Sequence, residues 1–167
     1  AGARVGKLGG PDCVTKGGLG SAVIVLPNGT RVAALVAVNA VGEIVDSRSG
    51  AVVAGVRSSR AGEYQSAVDL ATGMLDREGS IATNTTIGIV ATDGTLTKTE
   101  LKKVAEMAHD GLARAIRPVH TQFDGDTVFA VSMGSEGSRD DDTSGSGKSL
   151  NSIGVAAAKA LELAIID

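Results

Sequence analysis

Two short stretches carry residue types and spacings that could do chemistry. The first is Thr83-Asn84-Thr85-Thr86, which lies between a polar run and the apolar run Thr86–Ala91. A threonine hydroxyl held rigidly against the preceding carbonyl can attack it, turning the amide into an ester. Water then opens the ester and leaves a chain that starts at Thr85. The new α-amine, with an ordinary pKa of ~7.7–8.0, lies beside its own hydroxyl and can serve as its base. The second stretch is Phe123-Asp124-Gly125-Asp126-Thr127. Two carboxylates two residues apart, entering an extended run, point to one face. There they could hold the ammonium and hydroxyl of Thr85, with their pKa values pushed apart so that one carries a proton. Gly125 between them lets another backbone approach closely. Residue type alone leaves plainer readings open: a threonine opening a strand is most often a strand residue, and Asp-Gly is a common turn.

The surrounding elements must position these groups. Ser21–Leu26 and Arg31–Val38 read as strands joined by Pro27-Asn28-Gly29-Thr30, a hairpin signal because Asn-Gly accepts positive φ. Both runs are apolar at nearly every position, so they are expected to be covered on both faces. Glu43–Asp46 and Ala51–Ala54 form a second, weaker hairpin. Residues 55–84 are polar, with a short helix expected over Tyr64–Leu75, and suit an exposed segment that is cut. Thr86–Ala91 is a buried strand. Thr97 with Glu100 makes a capping box for a helix carrying Leu101, Val104, Ala105, Ala108, Leu112, Ala115 and Ile116 on one face and ending before Pro118. Thr127–Ser132 is a further strand. Gly134–Gly147 is a low-complexity loop, and Ser149 is expected to cap a last helix, Leu150–Ile166. Apolar sheet and amphipathic helix in layers give an α/β or α+β sandwich in one domain.

Composition excludes several function classes. Tyr64, Phe123 and Phe129 are the only aromatic residues, and the net charge is −3. Base stacking and phosphate-backbone binding are therefore not expected, and no nucleic-acid partner is assigned. The core must come from Val, Ala, Ile and Leu, with small side chains where elements touch. Cys13 is the single cysteine, which rules out an intrachain disulfide and a thiolate zinc site. No apolar run is expected to reach the ~20 residues that span a membrane, and no signal sequence is read at the start of the chain. A reducing, cytoplasmic setting is the expectation. Gly145-Ser146-Gly147-Lys148-Ser149 resembles the end of a phosphate-binding loop. The motif's first Gly falls on Asp142, however, and Asp140, Asp141 and Asp142 would repel phosphate. His120 with Asp124 and Asp126 lacks a fourth ligand in sequence reach, so no metal is assigned. His120 reads as a structural residue after Pro118, and His109 as solvated.

Three long phrases occur in order: KGGLGSAVIVLPNG…VAALVAVNAVGEIVD, NTTIGIVATDGTLTK and MAHDGLARAIRPVHTQFDGDTVFAV. Together they resemble the self-processing L-aminopeptidase/D-Ala-esterase family, which includes the β-aminopeptidases and the nylon-oligomer hydrolases. The resemblance runs from Gly2 to the final helix. It implies a four-layer αββα sandwich like other N-terminal-nucleophile hydrolases, and autocleavage at Asn84-Thr85 into 1–84 and 85–167. By the same resemblance Thr85 is the nucleophile, Asp124 and Asp126 are its acidic partners, Lys7 balances the acids, and Asn39 faces the reacting carbonyl oxygen. Threonine with two aspartates resembles the nylon-oligomer hydrolase branch, whereas the β-aminopeptidase branch uses serine with a Ser/Glu pair. The family's first subunit begins well upstream of the counterpart of Gly2, so residues 1–84 would be its C-terminal part. The implied enzyme hydrolyses short peptides or amide oligomers, needs no cofactor, and assembles as a tetramer of cleaved pairs. The competing reading is a non-catalytic domain of the same fold that binds or assembles.

Overall fold

The computed structural model describes residues 2–73, 84–134 and 146–167. The strands are β1 (Arg4–Val5), β2 (Thr15–Lys16), β3 (Leu19–Val25), β4 (Arg31–Ala37), β5 (Glu43–Val45), β6 (Val52–Ala54), β7 (Val56–Arg57), β8 (Tyr64–Gln65), β9 (Ile87–Thr92), β10 (Ile116–Arg117) and β11 (Thr127–Ser132). The α-helices are α1 (Ala67–Thr72), α2 (Lys98–Ala115) and α3 (Ser146–Ile166). The main sheet has the order β11-β9-β4-β3. β4 pairs antiparallel with β3 on one side and β9 on the other, while β11 runs parallel to β9. That parallel pair needs a crossover, and α2 supplies it. A smaller sheet has the order β10-β5-β6 and meets α2 and α3 through β5.

The turn chemistry acts as expected. Gly29 takes a φ of 86° in the β3–β4 hairpin, closed by Leu26 N–H to Thr30 O at 2.8 Å. Thr97 and Glu100 form the capping box of α2. The core lies between the sheet and the pair α2 and α3, and is built from Val, Ala, Ile and Leu. Small residues set the helix spacing: a Cβ on Gly111 would strike the Ala158 carbonyl oxygen and lie 3.0 Å from the Glu162 nitrogen.

Three expectations are corrected. β3 and β4 are covered on one face only among the described residues. Leu19, Val23, Val25 and Leu35 are exposed, and Ile87, Ile89, Phe129 and Val131 extend the same apolar face. Continuous apolar sequence cannot separate a strand waiting for a cover from one already covered. The helices α2 and α3 cover the other face of the main sheet. The Tyr64–Leu75 helix shrinks to α1, capped by Ser66, because Tyr64 and Gln65 pair with β7. The last helix begins at Ser146, so Ser149 is inside it. Its Ser149–Ile166 stretch is apolar enough by composition to cross a membrane, at mean hydropathy 1.4, but 56% of it is buried inside this fold. The expected Gly134–Gly147 loop falls mostly outside the described residues, as do 74–83 of the polar run before Asn84.

Candidate active site

Sheet register, more than local sequence, places the Asn84-Thr85 peptide. β4 pairs with β9 through Ala37 and Ile87. Two residues on from Ala37 and two back from Ile87, Asn39 faces Thr85, and the Thr85 N–H donates to the Asn39 carbonyl at 3.2 Å. On the other side β9 meets β11 through Ile87 and Thr127. The same parallel offset brings Asn84 opposite Asp124 as an isolated bridge. Gly125 N–H then donates to the Asn84 carbonyl at 2.8 Å, and Thr127 N–H to the Thr86 carbonyl at 3.0 Å. The peptide is therefore held between two neighbours at the mouth of the central strand. Strand alternation buries Asn84 and Thr86, at 2% and 0% exposure, and leaves Thr85 half-buried on the opposite side.

Thr85 Oγ1 lies 2.6 Å from the Asn84 carbonyl oxygen and donates to it. Gly125 closes over this pair: a Cβ there would sit 2.7 Å from Thr85 Oγ1. The close backbone approach expected at Gly125 is thus seen. Its N–H on the Asn84 carbonyl is a candidate site group with no sequence signal, since only the register reveals where a main-chain donor points.

Lys7 and Asn39 form the second part of the site. β1 leads to Lys7, whose main chain is anchored by N–H donation to Val41 O at 2.9 Å. Lys7 Nζ donates to Asn39 Oδ1 at 2.9 Å and to Asn39 O at 3.2 Å. Arg4 N–H donates to the same Oδ1 at 3.1 Å. The carboxamide turns its oxygen toward Lys7 and Arg4, so its Nδ2 group is the donor end. Burial pushes the Lys7 ammonium below the ordinary lysine value; Asp124 pulls it back up, and Arg4 adds to the fall.

The two aspartates share a face, as expected, but in the intact chain each has its own partners to either side of Thr85. Asp124 Oδ2 accepts from Thr121 N–H at 3.0 Å and Thr121 Oγ1 at 2.6 Å. Asp126 Oδ1 accepts from Thr86 N–H at 2.9 Å, and its Oδ2 from His120 Nδ1 at 2.9 Å. The Asp126 side chain is 3% exposed. In the uncleaved chain Asp126 reaches the strand of Thr85 through Thr86 N–H, because register pairs Thr85 with Gly125. His109 is also corrected. It is not simply solvated: its ring stands 4.9 Å from that of His120, centre to centre. Among the described residues no group of three His, Cys, Asp or Glu side chains could hold a metal. Ser146–Ser149 of the phosphate-loop fragment lie in α3, while Asp140, Asp141 and Asp142 are outside the described residues.

Residues 4–167 match peptidase family S58. The chain belongs to this family. An uncharacterized aminopeptidase of Mycobacterium leprae is 45% identical over 134 residues, covering 80% of this chain and 36% of that protein. A 6-aminohexanoate-oligomer endohydrolase of Paenarthrobacter ureafaciens is 37% identical over 108 residues, covering 60% of this chain and 29% of that protein. This S58 chain thus spans about a third of the length of the curated relatives it matches. Among solved structures, a Burkholderia sp. β-aminopeptidase superimposes with a TM-score of 0.51 at 27% identity, over 90% of this chain and 41% of that one. The L-aminopeptidase D-Ala-esterase/amidase of Ochrobactrum anthropi, a variant of the N-terminal-nucleophile hydrolase fold, gives 0.54 at 20% identity, over 90% and 39%. The α+β architecture of the S58 chain is thus that of this fold.

Proposed function

We propose that this chain cuts itself between Asn84 and Thr85 and that the freed Thr85 hydrolyses amides. The observation that carries the reading is the Thr85 hydroxyl 2.6 Å from the Asn84 carbonyl oxygen, with the Gly125 N–H on the same oxygen at 2.8 Å. In the first step Thr85 Oγ bonds to the Asn84 carbonyl carbon. Gly125 N–H stabilises the oxyanion, a contribution of ~2.7–4 kcal/mol for one such donor. Collapse breaks the C–N bond, and the departing nitrogen gains the proton that the hydroxyl loses. Water then splits the Asn84 ester, releasing the Asn84 carboxylate and a chain starting at Thr85.

That nitrogen already faces the Asn39 carbonyl, which would hold the new amine beside its own hydroxyl. In turnover, the amine takes the Thr85 proton while Oγ attacks the substrate carbonyl. Asn39 Nδ2 is the donor we assign to the substrate oxyanion, oriented by Lys7 and Arg4 at its oxygen end. The amine passes the proton to the leaving group, and water hydrolyses the acyl-Thr85 ester. Asp126 fixes the peptide that follows Thr85, and Lys7 offsets the charge of Asp124. Names of the relatives support short peptides or aminohexanoate-type oligomers as substrates. The family resemblance supports a homo-oligomer of cleaved pairs.

Intact mass of the purified full-length protein tests this. A fragment beginning at Thr85 is expected, and Thr85→Ala should stay whole and lose hydrolysis of alanine amides and aminohexanoate oligomers. A wild-type chain that stays whole, or unchanged hydrolysis by Thr85→Ala, refutes the reading and favours a non-catalytic binding module.

A further inference from the structure

Asp126 holds the strand of Thr85 by its carboxylate, through Thr86 N–H. It is held from behind by a line of two histidines. An ionised carboxylate only accepts hydrogen bonds, so His120 presents a proton on Nδ1 to Asp126 Oδ2 at 2.9 Å. His120 Nε2 then meets His109 Nδ1, from α2, at 3.3 Å. His120 has a φ of 55°, the one non-glycine residue with positive φ among those described. That conformation costs most side chains of order 1 kcal/mol, and such strain persists where the surroundings over-determine it. Here the strained backbone aims the imidazole at Asp126 while the ring stays 38% exposed, so hydrophobic burial does not account for its placement.

We propose that His120 is a positioning residue for the nucleophile: it fixes Asp126, which fixes the Thr86 peptide and thereby the angle at which Thr85 Oγ meets a carbonyl. His109 braces His120 from the helix. The inference rests on Thr85 being the self-processing nucleophile. It assigns His120 no contact with substrate. With Oδ2 engaged by the imidazole, Asp126 keeps Oδ1 on Thr86. Without it, the carboxylate is free to rotate, and the strand mouth loses its anchor on the helix side.

Two substitutions at His120 separate positioning from folding, because Gly and Asn both accept its positive φ. His120→Gly removes the donor; His120→Asn returns one, as Asn Nδ2 stands close to where imidazole Nδ1 does. In the full-length protein, His120→Gly should slow self-cleavage and kcat by about tenfold or more, the scale of one hydrogen bond to a charged group, with KM little changed. His120→Asn should recover most of both rates. His109→Leu keeps the helix intact and should slow both more mildly, which keeps the idea testable if His120→Gly does not fold. Wild-type rates in His120→Gly, or in His109→Leu if that variant alone folds, overturn the proposal, as does failure of a folded His120→Asn to restore what glycine loses. Absence of cleavage in the wild type would instead overturn the self-processing reading and this inference with it.

Discussion

Substituting Gly125 by alanine tests the site with one methyl group. The new Cβ would sit 2.7 Å from Thr85 Oγ1 and 3.7 Å from the Asn84 carbonyl oxygen. Ordinary contact begins near 3.4 Å, so the hydroxyl must retreat by about 0.7 Å or rotate away from the carbonyl. A misplacement of ~1 Å can cost about 10²-fold in rate, so self-cleavage should slow by roughly tenfold to 10²-fold. Folding should not suffer. Gly125 is solvent-exposed and, unlike Gly29, has no positive φ. Replacing such a glycine stabilises by ~0.4–1 kcal/mol through the unfolded chain. The assay is a time course of intact mass on freshly expressed protein, with a urea melt alongside. Stability held or raised while the Thr85-led fragment forms slowly is the expected pair of results. Wild-type cleavage kinetics in a well-folded Gly125→Ala would refute the claim that this hydroxyl, in this position, makes the attack.

Two further outcomes follow from the packing and the histidines. Gly111→Ala should destabilise by ~1–3 kcal/mol in urea melts, because its Cβ would meet the Ala158 carbonyl across the α2–α3 contact; equal or higher stability would show that the helices can part at no cost. His109 is held below the ordinary histidine value by burial and by His120, with Asp126 and Asp110 pulling the other way. Its folded pKa is depressed, so its contribution to stability is complete above about 6.5 and is lost as pH falls from there through the folded pKa. His109→Gln should flatten Tm against pH in that window, and an unchanged profile would deny His109 this part.

Local pattern was enough for the elements whose causes are local. Asn28-Gly29 made its hairpin, Thr97 with Glu100 capped α2, and Asp124-Gly125-Asp126 placed two carboxylates on one face with room for a backbone between them. What stayed hidden is non-local. The Asn84 carbonyl and its Gly125 donor lie far apart in the chain and meet only through the β9–β11 register. Thr121 gives no signal as a partner, and His120 beside the aspartates reads only as a weak metal set, since an acid's hydrogen bonds depend on which loop folds back over it. The exposed face of β3 and β4 escaped notice because periodicity reports apolar surface without saying what covers it.

Register also explains why Thr85, and not the adjacent Thr86, presents its hydroxyl to the preceding carbonyl. In a strand, a slip of one residue exchanges the two faces. With Ile87 opposite Thr127, Thr85 takes the half-open side opposite a glycine, while Asn84 and Thr86 turn inward toward the aspartates. Shifted by one, Thr85 would be buried and face a carboxylate-bearing residue, and the backbone donor that now meets the Asn84 carbonyl would point elsewhere. Thr86 carries the same hydroxyl but is buried, whereas at Thr85 a half-open face, a side-chain-less neighbour and a main-chain donor on the preceding carbonyl coincide. The β9–α2–β11 crossover, closed by helix packing on Gly111 and by the grip of His120 on Asp126, is what holds that coincidence in place.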